Sequence, residues 1–161
     1  MAGKVKAVPE GFRTVTPHLV VRDAAGAIQF YKSAFSAEEI CRSMTPDDKY
    51  IMHATVKIGD SLVMLCDEMP MMQRWLAPPS LNGTTVGLCL YVEDADALYK
   101  RAVAAGATVS MPLEDQFWGD RFGKVTDPYG HEWEIVTHKK DLTPEEISKG
   151  AQEFFSKMSK H

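Results

Sequence analysis

The amino-acid sequence lacks the features that mark several large classes of protein. No apolar run approaches the roughly 20 residues that a membrane-spanning helix needs, and residues 1–10 contain no apolar core of the kind found in signal peptides. The 18 lysines and arginines form no cluster and are outnumbered by 22 acidic residues, so an electrostatic surface for nucleic acid is absent. We therefore expect a cytoplasmic protein with neither membrane nor nucleic-acid partners.

Cysteine is scarce as well. Cys41, Cys66 and Cys89 stand far apart in apolar, strand-like segments, and no CxxC or HxxxH pattern occurs. We expect them to be small buried side chains in a reducing compartment, although a nucleophilic role for one of them stays open.

What the chain does have is an unusual density of functional side chains in residues 116–138, QFWGDRFGKVTDPYGHEWEIVTH. The turn residues of DPYG separate two strand-like runs, which predicts a β-hairpin. A tryptophan, an Asp-Arg pair, two histidines and two glutamates surround the turn. The hairpin is therefore a candidate functional site.

A similar but plainer hairpin occurs earlier in the chain, at residues 53–66, with its turn at Gly59. Aligning Gly59 with Gly130 sets an offset of 71 (130 − 59), and the same shift carries Asp23 onto Asp94. Agreement of two distant segments on one offset indicates a duplicated unit of about 70 residues. With 161 residues, 45% of them hydrophobic, and no linker rich in Pro, Gly or Ser, we expect one domain built from two modules.

The periodicity predicts the order β-α-β-β-β in each module. Asp23 and Asp94 are the expected helix N-caps, and Gly106 ends the second helix. The predicted strands span residues 14–21, 38–44, 50–58 and 61–66 in module one (14–67), and residues 84–92, 107–112, 120–126 and 132–138 in module two (83–140). A Met-rich loop at 68–82 is either a lid over a pocket or a packed crossover. A capping box from Thr143 to Glu146 predicts a C-terminal helix at 143–159, whose apolar stripe needs a surface to cover.

These modules, with RDAAGAIQFYKSAFSAEE at 22–39 and FWGDRFGKVTDPYGHEWEIVTH at 117–138, resemble the vicinal oxygen chelate superfamily of glyoxalases, bleomycin-resistance proteins and dioxygenases. Within it, the chain is most similar to the PhnB-like branch, and the resemblance covers residues 15–142. It implies an α+β fold in which two modules form a curved mixed β-sheet around a cavity. It also implies a homodimer that binds a small molecule.

The resemblance further implies where a divalent metal would be held, since each module supplies one ligand from its first strand and one from its last. Seven residues before the helix cap stand Thr16 (23 − 7) and Gly87 (94 − 7). Four residues after the turn glycine stand Val63 (59 + 4) and Glu134 (130 + 4). Only Glu134 has a ligand-type side chain, and one carboxylate holds a metal weakly. We therefore expect no inherited metal site and no cofactor.

A rebuilt site is the alternative. His18 lies two residues past Thr16, so strand alternation places both on one face. His18 and Glu134 could bind a divalent metal such as Zn, Ni, Fe or Mn, with His53 or His138 as a third ligand. The plainer interpretation is that His18 and His138 are polar rim residues. The face occupied by His53 is open, because a bulge near Gly59 would shift the parity of its strand.

Other side chains of the hairpin also have two interpretations. Trp118 and Arg121 could line a ligand cavity, or Asp120 and Arg121 could pair and pin the hairpin while Trp118 covers an edge. His131 is expected to decorate the turn, and Trp133 and Ile135 to form the buried face of the last strand. Glu132 and Glu134 share the other face, where they could share a proton or be solvated. We predict ligand-binding roles for Thr16, His18, Trp118, Arg121 and His138, with Glu134 as the candidate catalytic residue.

Two hypotheses follow from these residues. The first is a metal-free, dimeric protein that binds an apolar or aromatic small molecule, as bleomycin-resistance proteins do. The second is a metal-dependent lyase, isomerase or dioxygenase-like enzyme with a site rebuilt from His18 and Glu134, in which the ion would polarise vicinal oxygens of the substrate. A third hypothesis, an interaction module, depends on the C-terminal helix and the Met-rich loop, both of which packing explains more simply.

Overall fold

The computed structural model describes residues 5–159, and the chain divides into two compact units, Met1–Thr84 and Thr85–His161. Each unit contains one four-stranded mixed sheet with helices. The predicted α+β class and the C-terminal helix are confirmed. No helix among the described residues is both long and apolar enough to cross a bilayer.

The first unit follows the predicted order β-α-β-β-β. Its elements are β1 (His18–Val21), α1 (Ala24–Phe35), β2 (Glu38–Met44), β3 (Ile51–Ile58), β4 (Ser61–Asp67) and the short α2 (Pro78–Leu81). The strand order in the sheet is β1-β4-β3-β2, with β1 parallel to β4 and the other pairs antiparallel. The α1 crossover makes the parallel pair possible, because parallel strands cannot be joined by a tight turn.

Local signals define α1 as predicted. The Asp23 carboxylate accepts a hydrogen bond from Gly26 N at 2.9 Å, and Ser36 ends the helix in the left-handed conformation with φ 55°. Ala24, Ile28 and Tyr31 are fully buried, which places the core between α1 and one face of the sheet. The other face of the sheet carries no helix of this unit's β-α-β-β-β motif and is called the helix-free face below.

The buried Asp67, at the end of β4, has a structural role that the sequence reasoning missed. Its two carboxylate oxygens accept hydrogen bonds from Ala24 N and Ile51 N, each at 2.7 Å. One side chain therefore joins the start of α1 to the start of β3. Because a buried carboxylate is stable only when its oxygens are hydrogen-bonded, the two amides account for its position.

The second unit repeats this arrangement. Its elements are β5 (Gly87–Tyr91), α3 (Ala95–Ala105), β6 (Thr108–Asp115), β7 (Asp120–Thr126), β8 (Glu132–His138) and α4 (Pro144–Met158). The strand order is β5-β8-β7-β6, with β5 parallel to β8. Asp94 caps α3 by accepting from Ala97 N at 2.9 Å, and Gly106 follows its last residue, both as predicted.

The capping box at the start of α4 is also confirmed, since Thr143 Oγ1 accepts from Glu146 N and the Glu146 carboxylate accepts from Thr143 N. The helix contacts the β6–β7 connection of its own unit: the rings of Phe117 and Phe154 lie 5.5 Å apart. A Cβ on Gly150 would stand 3.0 Å from that of Phe117, so the helix approaches closely there. No residue of α4 is fully buried.

Several predicted boundaries were wrong. β1 begins at His18 rather than at residue 14, and β5 begins at Gly87 rather than at 84. β6 runs on through Pro112 to Asp115, with register irregularities in its pairing to β7. The segment predicted as an irregular loop contains α2, which starts at Pro78.

The cysteine prediction was correct for only one of the three. Cys66 is 1% exposed, whereas Cys41 and Cys89 are exposed, and all three are free thiols. Cys41 lies on β2 at an edge of its sheet. Cys89 lies on the face of β5 opposite to the buried Trp133 and Ile135 of β8, which is the helix-free face of the second unit's sheet. The two errors arise because apolar periodicity predicts a strand but does not predict which face of that strand is covered.

Candidate functional site

The chemically active side chains of the first unit lie on the helix-free face of its sheet. In β1, Leu19 and Val21 are buried, so strand alternation directs His18 to the opposite face. In β3, Ala54 and Val56 are fully buried, which directs His53 to that same face. The sheet therefore brings together two histidines that are distant in sequence.

His18 lies at the centre of a group of side chains that we call the ring cluster, which consists of His18, His53, Thr55 and Trp75. The His18 ring lies 4.8 Å from that of Trp75 and 5.9 Å from that of His53, both in edge-to-face geometry. His53 Nε2 lies 3.1 Å from Thr55 Oγ1, within hydrogen-bonding distance. Trp75 comes from the irregular segment between β4 and α2, and sequence reasoning did not assign it to a site.

Partial burial of the ring lowers the pKa of His18, and the neighbouring His53 lowers it further. The neutral imidazole is therefore favoured over imidazolium at neutral pH, with one nitrogen that donates and one that accepts. The face of His53, which the sequence left open, is settled because β3 pairs with β4 in unbroken register from Ala54 to Ile58, and the bulge in β3 lies on the other side of His53. Ser43 pairs with His53 and Met44 pairs with Ile51, so Met52 is the extra residue.

Thr16 does not belong to a strand. It precedes β1, and its hydroxyl donates to Arg13 O at 2.9 Å. Strand alternation therefore does not place Thr16 and His18 on one face. A ligand-binding role for Thr16 stays a prediction.

In the second unit, Glu134 lies on the helix-free face of β8 and is paired with Lys124 of β7. Lys124 Nζ is 3.0 Å from Glu134 Oε1, and the two side chains are 35% and 25% exposed. The same oxygen would stand 2.9 Å from a Cβ at position 87. The carboxylate thus occupies the space that Gly87 leaves by having no side chain.

Cys89 lies across from Glu134 on the neighbouring strand. Partial burial raises the pKa of the Cys89 thiol, and the negative charges of Glu134 and Asp120 and a hydrogen bond to Glu134 raise it further. A thiol held in its protonated form is a poor nucleophile and a poor metal ligand. This environment argues against the nucleophilic role that the sequence left open.

The residues at the family's metal positions do not fit a divalent ion. In the second unit, Gly87 has no side chain to donate a ligand atom, and the Glu134 oxygen nearest to it already contacts the ammonium of Lys124. In the first unit, the Val63 side chain is apolar and buried. Among residues 5–159, no group of three or more His, Cys, Asp or Glu side chains is arranged to hold a metal.

The hairpin side chains Trp118, Asp120 and His138 form a hydrogen-bonded series. Asp120, 7% exposed, accepts from Trp118 Nε1 at 3.0 Å, and its other oxygen lies 2.7 Å from His138 Nδ1. His138 Nε2 lies 3.0 Å from Asp141. Hydrogen bonds to Asp141 and to Asp120 raise the pKa of His138, since the two carboxylates favour imidazolium. Two of the predicted ligand-binding residues, Trp118 and His138, are thus joined through one carboxylate.

Arg121 is placed elsewhere. Its guanidinium forms a bidentate pair with Asp96 of α3, with both distances 2.6 Å, and contacts Asp115 at 3.2 Å. These two carboxylates raise the pKa of Arg121. The suggested Asp120–Arg121 pair does not form, because Arg121 extends to the helix-bearing face and Asp120 binds Trp118 and His138. A guanidinium committed to two carboxylates has fewer donors left for a ligand.

The DPYG turn is organised by Asp127. One carboxylate oxygen accepts from Tyr129 N and His131 N, both at 2.9 Å, and the other accepts from the indole of Trp133 at 2.9 Å. Trp133 and Ile135 are buried, as expected. This part of the motif therefore stabilises the hairpin.

The two glutamates of β8 have separate partners. Glu132 accepts from Thr126 Oγ1 at 2.8 Å, whereas Glu134 pairs with Lys124. The suggested shared proton has no counterpart in this arrangement. Hairpin symmetry could have revealed both pairs, because residues equidistant from Tyr129 along the chain face each other across the two strands.

Comparisons with known proteins agree with the fold. Residues 12–135 match the model of the Glyoxalase/Bleomycin resistance protein/Dioxygenase superfamily. An uncharacterised protein of Mycobacterium tuberculosis is 48% identical over 135 residues, covering 83% of this chain and 79% of the relative. Protein YjdN of Escherichia coli is 32% identical over 132 residues, covering 81% of this chain and 85% of the relative.

Solved structures show the same fold. The X-ray structure of a gene product from Arabidopsis thaliana has a TM-score of 0.61 at 28% identity, and covers 80% of this chain and 99% of that one. The fosfomycin resistance protein FosX from Mesorhizobium loti has a TM-score of 0.57 at 18% identity, and covers 83% of this chain and 95% of that one. At 18% identity, the likeness to the fosfomycin resistance protein concerns the fold alone.

Proposed function

Because the chain belongs to the Glyoxalase/Bleomycin resistance protein/Dioxygenase superfamily, we propose that it binds a small apolar or aromatic molecule without a divalent metal at the inherited positions. The binding surface of this proposal is the ring cluster on the helix-free face of the first unit. The proposal includes the PhnB-like branch, a cytoplasmic location and a homodimer.

The observation that carries the proposal is the contact between Lys124 and Glu134. At 3.0 Å, the ammonium already compensates the charge of the one carboxylate found at a family metal position. A divalent ion would have to displace that ammonium and would then find no donor on Gly87. Zinc sites in enzymes normally have three protein ligands. The Lys124–Glu134 contact thus supports a protein that holds no metal at this position.

The chemistry of the ring cluster supports an aromatic or apolar ligand. Trp75 is 40% exposed, so part of its indole is available for stacking, and the indole already contacts the His18 ring at 4.8 Å. His18 favours its neutral form, so an apolar ligand would not need to desolvate a charge there. His53 supplies a polar group for orienting a ligand in a mostly apolar site, and Thr55, 2% exposed, holds the His53 ring through Nε2.

Two further parts of the proposal have support of their own. Cys41 and Cys89 are exposed free thiols, a state that a reducing cytoplasm maintains. Phe155 and Met158 on α4 are 60% and 62% exposed, and exposed apolar side chains of this kind favour association with a second copy. Equilibrium sedimentation would test the homodimer, and a monomer at all concentrations would contradict it.

The ligand proposal can be tested with anilinonaphthalene sulfonate, an aromatic probe whose fluorescence rises in apolar surroundings. We expect saturable binding by the untagged protein, an affinity unaffected by a chelator, and a loss of about tenfold or more in Trp75→Ala, because stacking on an indole contributes roughly 1–3 kcal/mol. Tyr91→Ala is the matched control, since it removes another exposed aromatic ring, in the second unit. Equal affinity in Trp75→Ala and wild type would contradict the proposal.

The metal-dependent alternative is tested on the same sample. Stoichiometric zinc, nickel, iron or manganese in the purified protein, lost in a His18→Ala/Glu134→Ala variant, would support the rebuilt metal site instead. Binding of the probe only after metal is added would also favour that alternative. Metal-free binding would leave the proposed function standing.

A further inference from the structure

The first unit has a concave site at the carboxyl ends of the parallel strands β1 and β4. It is an open pocket of about 330 Å³, near the lower end of the range of small-molecule sites. Arg22 and Glu68, the residues that directly follow the two strands, lie in its wall. A hydrogen bond of 2.6 Å from Glu68 N to Val21 O fixes the backbone between them.

The pocket contains one positive and one negative group that are held side by side. Arg22 Nε is 3.8 Å from Glu68 Oε2, too far for a hydrogen bond. Ser80 lies between them: its hydroxyl accepts from Arg22 Nη2 at 2.9 Å and donates to Glu68 at 2.7 Å. Hydrogen bonds from Ser80 and from Ala77 N lower the pKa of Glu68, which keeps it ionised. Both charges are therefore present and fixed in position.

The rest of the wall is mainly apolar. Met69, Met72 and Leu76 line the pocket, and Met72 and Leu76 are 39% and 37% exposed. Methionine is unbranched and polarizable, so such a wall adapts to apolar groups of different shape. Trp75 does not line this pocket, so it is distinct from the ring cluster.

We propose that this pocket binds a free α-amino acid with an apolar side chain. The carboxylate would contact the Arg22 guanidinium, the ammonium would contact Glu68, and the side chain would lie against the two methionines and Leu76. A simple anion would be repelled by Glu68 and a simple cation by Arg22, whereas a zwitterion complements both charges. The apolar wall distinguishes leucine-like amino acids from glycine.

L-Leucine is the probe for this proposal, and the methyl groups of isotopically labelled methionines are the reporters. We expect saturable NMR shifts for Met69 and Met72 and none for Met158, which lies on α4. Arg22→Ala and Glu68→Gln should each weaken binding about tenfold or more, because each removes a hydrogen bond to a charged group. Arg74→Ala, which removes an exposed arginine outside the pocket wall, should leave the affinity unchanged.

Two analogues sharpen the test. Isocaproate lacks the amino group of leucine, and leucinol lacks its carboxylate, so each should bind about tenfold more weakly. Equal binding of either analogue, or no shift of Met69 and Met72 with leucine, would overturn the proposal. Unchanged signals of Met44 and Met52, which lie in the sheet of the same unit, verify the fold in each variant. The result is independent of the aromatic-probe experiment, because that experiment reports on Trp75.

Discussion

The hairpin turn in the second unit makes a quantitative prediction about stability. Asp127 is 4% exposed and accepts hydrogen bonds from the backbone amides of Tyr129 and His131 and from the Trp133 indole. Asp127→Asn keeps an oxygen for the amides but turns its own N–H donors toward the indole N–H. The indole N–H of Trp133, a residue that is 1% exposed, then loses the acceptor that Asp127 provides.

The magnitude follows from the lost bonds. A buried donor left without a partner costs about 1–3 kcal/mol, and hydrogen bonds to charged groups lie in the upper part of this range. We therefore expect Asp127→Asn to lower the free energy of unfolding by about 2–3 kcal/mol. Asp127→Ala removes the acceptor for all three donors, and we expect a loss of about 3–5 kcal/mol.

Urea unfolding monitored by near-ultraviolet circular dichroism measures these losses, and hydrogen exchange of the Trp133 indole reports on the hydrogen bond itself. A double-mutant cycle with Trp133→Phe isolates the pair, because phenylalanine has no donor to leave unpaired. Asp127→Asn should then cost about 1–2 kcal/mol less than it does in the wild type. The matched control is Asp60→Asn in the turn of the first unit, whose carboxylate is exposed and accepts from Ser61.

Two results would refute this reasoning. One is a loss in Asp127→Asn that is no larger than the loss in Asp60→Asn. The other is additivity of Asp127→Asn and Trp133→Phe within about 0.5 kcal/mol, the margin expected for independent sites. Either result would mean that the indole bond does not stabilise the turn.

Three further predictions concern the second unit. Gly119→Ala should lower the free energy of unfolding in urea by about 2–3 kcal/mol, because the Gly119 φ is +100° and a Cβ there would collide with a backbone carbonyl. The control is Gly59→Ala, which has open space around it and should lower the free energy of unfolding by about 1 kcal/mol. Thr143→Ala should lose about 1 kcal/mol of helix stability and accelerate amide exchange in the first turn of α4. Folding raises the pKa of His138, so the protonated ring stabilises the folded protein. This stabilisation is complete below the unfolded pKa of about 6.5 and is lost as the pH rises through the folded pKa. Asp141→Asn should lower the folded pKa of His138 in an NMR titration.

The elements that the sequence predicted well depend on local interactions. Asp23, Asp94 and Thr143 each cap a helix through a backbone amide three residues away, so a short window of sequence contains the whole interaction. The strands likewise follow from alternation, and in β8 the buried face does too, because Trp133 and Ile135 alternate with glutamates. Element boundaries were less accurate at the starts of β1 and β5, where β-branched residues also precede the first residue of the strand.

The contacts that define the candidate site were harder to predict because they are distant in sequence. Trp75 reaches His18 from an irregular segment, where neither periodicity nor turn chemistry fixes a side-chain position. Asp120 and Arg121 are adjacent, yet strand alternation sends them to opposite faces, and this rules out the pair that proximity suggested. The Lys124–Glu134 pair could have been predicted from the sequence, because both residues lie five positions from Tyr129 and therefore face each other across the hairpin.

The internal repeat explains one remaining error in the assignment of metal positions. His18 pairs with Met64, and Cys89 pairs with Glu134. An offset of 71 relates the first strands (89 − 18), but an offset of 70 relates the last strands (134 − 64). The counterpart of Glu134 is therefore Met64 rather than Val63.

The difference arises in the turns. Two residues separate the paired Ile58 and Ser61, whereas five separate Thr126 and Glu132, so aligning the turn glycines displaces the following strand by one position. A shift of one residue moves a side chain to the other face of a sheet, and Val63 is accordingly buried, 5% exposed. Since a thioether is a weak ligand for the harder divalent ions, the corrected alignment leaves the first unit without an inherited ligand and strengthens the argument from Lys124.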